Sequence, residues 1–256
     1  MNILIIGDIV GKAGINKLKE NLPSLVKEKE IDFIIANAEN VADGMGITEK
    51  AYRDLLILNI DAITMGNHTW AKKEVFKIID EPHIIRPANY PKGVPGCGYR
   101  IYNCKNKKIA VINLLGRAEL NILTENPFQY ANKIIGKIKN EVDIIIVDFH
   151  AEATAEKKSM GYYLDGKVQV VYGTHTHIQT ADEQILSKGT AYITDVGMTG
   201  PKNSVLGMET DVAIKRFLTS LPEKYKIASG EAFLNSIIVK INDETCRVES
   251  INRMNC

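Results

Sequence analysis

Apolar residues in this chain come in short continuous runs, and most of the runs stop at a residue carrying a lone-pair donor. The run at 3–6 stops at Gly7-Asp8, the run at 33–36 leads into Asn37-Ala38-Glu39-Asn40, and the run at 62–65 leads into Gly66-Asn67-His68. Residues 144–147 run on to Asp148-Phe149-His150, and 168–172 to Gly173-Thr174-His175-Thr176-His177. Apolar runs of this length, bounded by Gly or polar residues, read as buried strands. Strands are therefore expected at 2–7, 32–36, 61–65, 143–149, 168–172 and 190–194.

Helical spacing fills the gaps. Leu18, Leu22, Leu25 and Val26 give the segment 15–30 one buried face, with Pro23 expected to bend or shorten it. Thr48 is a plausible N-cap for a helix at 49–58. A short helix is expected at 73–80, and another at 127–140 returns the chain to the strand at 143–149. Residues 84–116 alternate apolar runs with the turn-rich RPANYPKGVPGCG, which suggests antiparallel strands at a sheet margin. Alternation at Ile237, Val239 and Ile241, and again at Val248 and Ile251, predicts a terminal hairpin. The pattern is that of an α/β protein. Without repeats, low-complexity segments or linkers, residues 1–256 read as a single domain. Parallel strands in such a fold open their carboxyl ends onto one crevice. The donors at the ends of these runs would then meet there.

Composition narrows the partners. Hydrophobic residues make up 45% and charged residues 25% of 256, ordinary for a soluble globular protein. With 32 basic against 31 acidic side chains, no stable nucleic-acid complex is expected. Lys105, Lys107 and Lys108 read as a solvated hairpin turn. Cys97, Cys104, Cys246 and Cys256 lack CxxC spacing and read as free thiols in a reducing cytoplasm. The apolar start lacks a basic leader and a cleavage site, and no run approaches the ~20 residues that span a bilayer. A cytoplasmic protein with no membrane partner is expected.

Each donor has a bland alternative. Asp8 in GDIVGKAG sits in a stretch one residue too short for a phosphate-binding P-loop, with Ala13 where Ser or Thr would hold magnesium. An aspartate there repels phosphate unless a cation intervenes, so metal ligation is preferred over a turn-forming role. Glu39 can bridge two cations, and Asn40 adds an amide oxygen. Adjacent residues in extended chain point to opposite sides. Of Asn67 and His68, one would then bind metal while the other faces substrate as a proton donor. By the same rule His175 and His177 face one way, and His150 supplies a third imidazole. His83, in DEPHIIRP, lacks such company and is given no role. Oxygen and imidazole donors without thiolate suit iron, manganese, cobalt or zinc. They outnumber the needs of one four-coordinate ion. Two ions ~3.5–4 Å apart, bridged by Glu39 and a water, would use them all.

The ordered motifs GDIVGKAG, NAEN, GNHTW, HAEATAEK, GTHTHIQTAD and DVGMTGP resemble those of the YmdB-like bacterial phosphodiesterases, within the calcineurin-like metallophosphoesterase superfamily. The resemblance spans essentially the whole chain. It implies a four-layer α/β/β/α metallophosphoesterase sandwich, a homo-oligomer, and hydrolysis of cyclic nucleotides, foremost 2′,3′-cyclic nucleotides to 3′-nucleotides. It implies two metal ions, iron or manganese foremost. One would take Asp8, Glu39, Asn40 and His177, and the other Glu39, Asn67, His150 and His175, leaving His68 as proton donor. The chain departs from the wider superfamily twice. Val10 stands where a D-x-H motif has histidine, a gap that Asn40 would fill, and Thr69 stands where an acidic residue usually follows GNH. Arg117 is a candidate phosphate contact, Glu152 and Thr154 are candidate pocket residues, and Thr199-Gly200-Pro201 is expected to be a turn. The same ligands would serve a phosphomonoesterase or nuclease equally, because substrate choice lies in loops. A regulatory protein with structural metals is a third reading, against which the surplus of donors counts.

Overall fold

Alternation within the first strand, β1 (Asn2–Ile6), sorts its side chains between two layers. In the computed structural model, which describes residues 1–256, Ile3 and Ile5 join Phe33, Ile35, Val111, Ile146 and Val170 in a core between two facing sheets. Leu4 and Ile6 face the other way, onto Leu18 and Leu22 of α1 (Gly11–Glu28) and Leu55 of α2 (Glu49–Ile57). The second sheet repeats the division. Ala110, Ile112 and Val147 pack outward against Ile134 and Ile135 of α3 (Pro127–Ile138) and Met160 and Leu164 of α4 (Thr154–Leu164). The result is the expected α/β/β/α order. Each fully buried Ile, Leu or Val contributes about 1.5–3 kcal/mol, so the three apolar layers dominate stability.

The first sheet holds β1, β2 (Asp8–Ile9), β3 (Phe33–Asn37), β4 (Ala62–Thr64), β5 (Ile84–Ile85), β12 (Met198–Pro201), β13 (Ala232–Ile241) and β14 (Val248–Asn255). Its order is β2-β12-β13-β1-β3-β4-β5, with β14 paired to β13 as the predicted terminal hairpin. Strands β1, β3, β4 and β5 run parallel. The second sheet holds β6 (Tyr99–Cys104), β7 (Lys107–Leu115), β8 (Ile144–His150), β9 (Val170–Thr174), β10 (Gln184–Ile185) and β11 (Ala191–Ile193), in the order β10-β11-β9-β8-β7-β6. Its middle strands β7, β8, β9 and β11 are parallel. Parallel ends from both sheets, rather than from one, therefore open toward the site.

Several expectations need correction. Residues 84–116 are only partly marginal: β6 is an antiparallel edge, but β7 is interior and pairs in parallel with β8. The first helix begins at Gly11 rather than 15 and continues through Pro23, which sits on its exposed face. The segment around Thr199-Gly200-Pro201 is strand β12, bonded to β2 and β13, and not a turn. The helix expected at 73–80 is one 3₁₀ segment, Lys73–Lys77. Helices α4 and α5 (Thr210–Thr219) escaped the pattern for opposite reasons. Helix α4 buries a lysine, Lys157, among its apolar residues, and α5 buries only Ala213. No helix is long and apolar enough to cross a membrane.

Candidate metal centre

His150 ends β8 and is fully buried. Its Nδ1 lies 2.9 Å from Thr174 Oγ1, and that hydroxyl donates its own proton to Asp148 Oδ1 at 2.7 Å. Thr174 must then accept from the imidazole, which keeps a proton on Nδ1 and turns Nε2 toward the site. Nε2 faces Glu39 Oε1 at 3.0 Å, Asn67 Oδ1 at 2.8 Å and His175 Nδ1 at 3.0 Å. His175 is oriented in the same manner, with Nε2 3.0 Å from Glu152 Oε2. Its Nδ1 is thereby freed toward His150. Donor atoms of Glu39, His150 and His175 lie within 4.8 Å of one another. Lone pairs so arranged repel unless a proton or a cation stands among them.

The structure responds with strong charge coupling. Burial opposes ionisation of Glu39, but His150 and then the backbone and charge of His68 bring it down to about 2. Burial likewise opposes charge on His150, yet Glu39, Asp8 and Asp148 push it up to about 9. Burial and the neighbouring His150 charge take His175 down to about 3. One proton is thus held where several donors meet.

A second group of donors adjoins the first. Asp8 is fully buried; its Oδ2 accepts from the His175 backbone N–H at 3.1 Å, while Oδ1 has no hydrogen-bond partner. Burial raises its carboxyl above the ordinary aspartate value. Asn40 donates Nδ2 to Gly44 O at 2.9 Å, and its buried Oδ1 is also unpartnered. An unsatisfied buried polar atom costs about 1–3 kcal/mol. Two such oxygens beside three imidazoles fit a cation. His177 uses Nδ1 to donate to Leu206 O at 2.9 Å, leaving Nε2 free. Gly66 completes the cradle, since a Cβ there would stand 2.4 Å from both Glu39 Oε2 and His150 Nε2.

Glu39, Asn67, His150 and His175 come together, but not through extended-chain alternation. His175 and His177 both have positive φ, 101° and 65°, so they face the site through left-handed backbone. Such conformations cost of order 1–3 kcal/mol and persist only when the surroundings enforce them. Asp195 does the enforcing here. Its Oδ2 accepts from Thr176 N at 3.1 Å, Thr176 Oγ1 at 2.7 Å and the buried Lys157 Nζ at 2.5 Å. Its Oδ1 holds Gly197 N–H at 2.8 Å. Asn67 and His68 occupy a turn after β4, and His68 N–H donates to Glu39 Oε2 at 2.8 Å.

Glu39, Asn40, His68, Glu152, His175 and His177 line a cavity of about 510 Å³, together with Arg216, Glu223 and Tyr225. Arg117 is not among its lining residues; its backbone N–H binds Glu156. Thr154 merely opens α4. His83 bonds the Asp61 carbonyl at 2.9 Å, away from the site. Sequence reasoning missed Asp148, Thr174, Lys157 and Asp195. Asp148 carried a signal as a carboxylate inside an otherwise apolar strand, while Thr174, Lys157 and Asp195 lay within the motifs GTHTHIQTAD, HAEATAEK and DVGMTGP without being given a role.

A four-layer sandwich with this cluster at its strand ends defines a metallophosphoesterase-type protein. The chain belongs to the family described as YmdB-like protein, matching it over residues 4–254. It is 49% identical to the 2′,3′-cyclic-nucleotide 2′-phosphodiesterase of Bacillus subtilis (strain 168), over 99% of this chain and 96% of that one. A Mycoplasma pneumoniae phosphatase of known crystal structure superposes with a TM-score of 0.95 at 36% identity, covering 100% of this chain and 93% of the other. A hypothetical protein from Thermus thermophilus gives 0.94 at 34% identity, covering 100% and 99%.

Proposed function

We propose that this protein is a phosphoric diester hydrolase that opens 2′,3′-cyclic nucleotides to 3′-nucleotides at a pair of metal ions. The observation that carries the proposal is the convergence of Glu39, Asn67 and His175 on His150 Nε2 at 2.8–3.0 Å. The activity printed for the Bacillus subtilis relative supplies the substrate class. Glu39, Asn67, His150 and His175 would hold one ion, and Asp8, Glu39, Asn40 and His177 the other. Iron or manganese suits this donor set. When bound, the ions supply a water acidic enough to ionise near neutral pH and positive charge against the phosphoryl oxygens. The reading treats the chain as one domain, supported by the core that both sheets share. A homo-oligomer belongs to it as well, supported by the exposed Phe217 and Leu218 on α5.

The remaining work falls to protein groups. Glu39 Oε2 fixes the backbone of His68, and the His68 side chain lines the cavity. There it would protonate the departing 2′ oxygen, since an alkoxide leaves poorly. His68→Ala is expected to lower turnover ~10²–10⁴-fold with metal content unchanged. Loss of metal from that variant would make His68 a ligand instead. Phosphorus NMR of 2′,3′-cyclic AMP, 3′,5′-cyclic AMP and a simple monoester tests the reaction class. The expected product is 3′-AMP from the first; turnover of the monoester alone would overturn the proposal.

A further inference from the structure

Tyr225 lies in the segment after α5, far in sequence from every donor of the centre, yet it touches the supports of two of them. Its hydroxyl donates to Leu206 O at 3.2 Å, the same carbonyl that accepts from His177 Nδ1 at 2.9 Å. Its ring packs on Gly44, where a Cβ would stand 2.3 Å from Tyr225 Cε1. The Gly44 carbonyl in turn accepts from Asn40 Nδ2 at 2.9 Å. Gly207 is fitted to the hydroxyl, since a Cβ there would come within 2.9 Å of Tyr225 Oη. One aromatic side chain thus spans the loop that orients Asn40 and the loop that orients His177.

We infer that Tyr225 is a positioning residue that sets Asn40 and His177 as a matched pair of ligands. The inference rests on the dinuclear reading above, because it assigns both residues to one ion. The Leu206 carbonyl is an obligatory acceptor, so it keeps the His177 ring proton on Nδ1 and leaves Nε2 as a lone pair. Leu206 holds a left-handed φ of 53°, a conformation that needs outside support. The tyrosine hydroxyl supplies part of it. On the other side, the ring closes the turn in which Gly44 has a φ of 86°. The amide of Asn40 is thereby held with Nδ2 on the backbone and Oδ1 unpartnered. Fixing the groups behind ligands in this way is typically worth ten- to a hundredfold in metal affinity.

Tyr225 also walls two spaces. It lines the cavity bounded by Glu39, Asn40, His175 and His177 and a neighbouring apolar recess of about 550 Å³, and Leu206 and Arg216 likewise line both. Because it lines that cavity, its part in ligand positioning is read from metal affinity rather than from turnover.

The test is a chelator-competition titration of the metal-free full-length protein with Mn²⁺, comparing wild type, Tyr225→Phe and Tyr225→Leu, each checked for an unchanged far-UV spectrum. The Phe variant keeps the ring on Gly44 and loses only the hydroxyl bond. It should weaken one of two Mn²⁺ affinities about tenfold and leave the other alone. The Leu variant loses both contacts and should weaken the same ion further, toward a hundredfold. That ion should be the one abolished by His177→Ala. Wild-type affinities in both Tyr225 variants, or equal weakening of both ions, would overturn the assignment. A wild type that takes up no second Mn²⁺ would instead sink the dinuclear reading on which it stands.

Discussion

Glu39 is the residue on which the centre turns, because its two oxygens face different groups. Oε1 meets His150, and Oε2 holds the His68 backbone. A single carboxylate thus joins the donor cluster to the proposed proton donor. Its charge also keeps a proton on His150, pushed up to about 9 from an ordinary value of 6.5. The sign follows from linkage. In the metal-free protein that proton stabilises the fold below pH 6.5, and the contribution is lost as pH rises through about 9. A cation must displace the same proton. Metal affinity is therefore expected to climb from pH 6.5 to about 9 and to flatten above, measured by chelator competition across that range. An affinity independent of pH over the same interval would contradict this account of His150.

At the scale of elements, close approach of backbone explains the glycines that open the chain. A Cβ at Gly7 would stand 1.9 Å from Gly197 O, and one at Gly14 would stand 2.4 Å from Thr199 O. These glycines admit β12 and the turn before it, which carries Asp195, the residue that fixes the His-Thr-His loop. Gly7→Ala should cost about 1–3 kcal/mol through overpacking and lower the melting temperature by several degrees. Gly136→Ala in α3 is the control: nothing lies within 4 Å of the added methyl, and a small gain from helix propensity is expected. Equal melting temperatures for the two variants would remove the packing argument. The glycine pattern was visible in the sequence, but its meaning was not. GDIVGKAG could be excluded as a phosphate loop by its length and by Ala13, whereas the partner of its glycines lies nearly two hundred residues away.

Across the whole molecule, what could be read from sequence was what side-chain type and strand rhythm announce. Asp8, Glu39, Asn67, His150 and His175 follow continuous apolar runs, and buried parallel strands gave them a common destination. Strand rhythm located the residues but not their backbone, since His175 and His177 reach the site through positive φ. The supports were harder to see because their signals are weak or absent. Leu206 acts through a main-chain carbonyl, Lys157 sits in a helix without a clear apolar stripe, and Tyr225 acts through ring packing and one hydroxyl. Helix α5 was invisible because it buries little of itself. The most direct test of the centre is elemental analysis of purified protein, wild type beside Glu39→Gln. The account predicts two transition-metal ions per chain in the wild type and loss of both in the variant, whose missing carboxylate served each of them. A wild type that hydrolyses cyclic nucleotides with no bound metal, or a variant that keeps both ions, would contradict it.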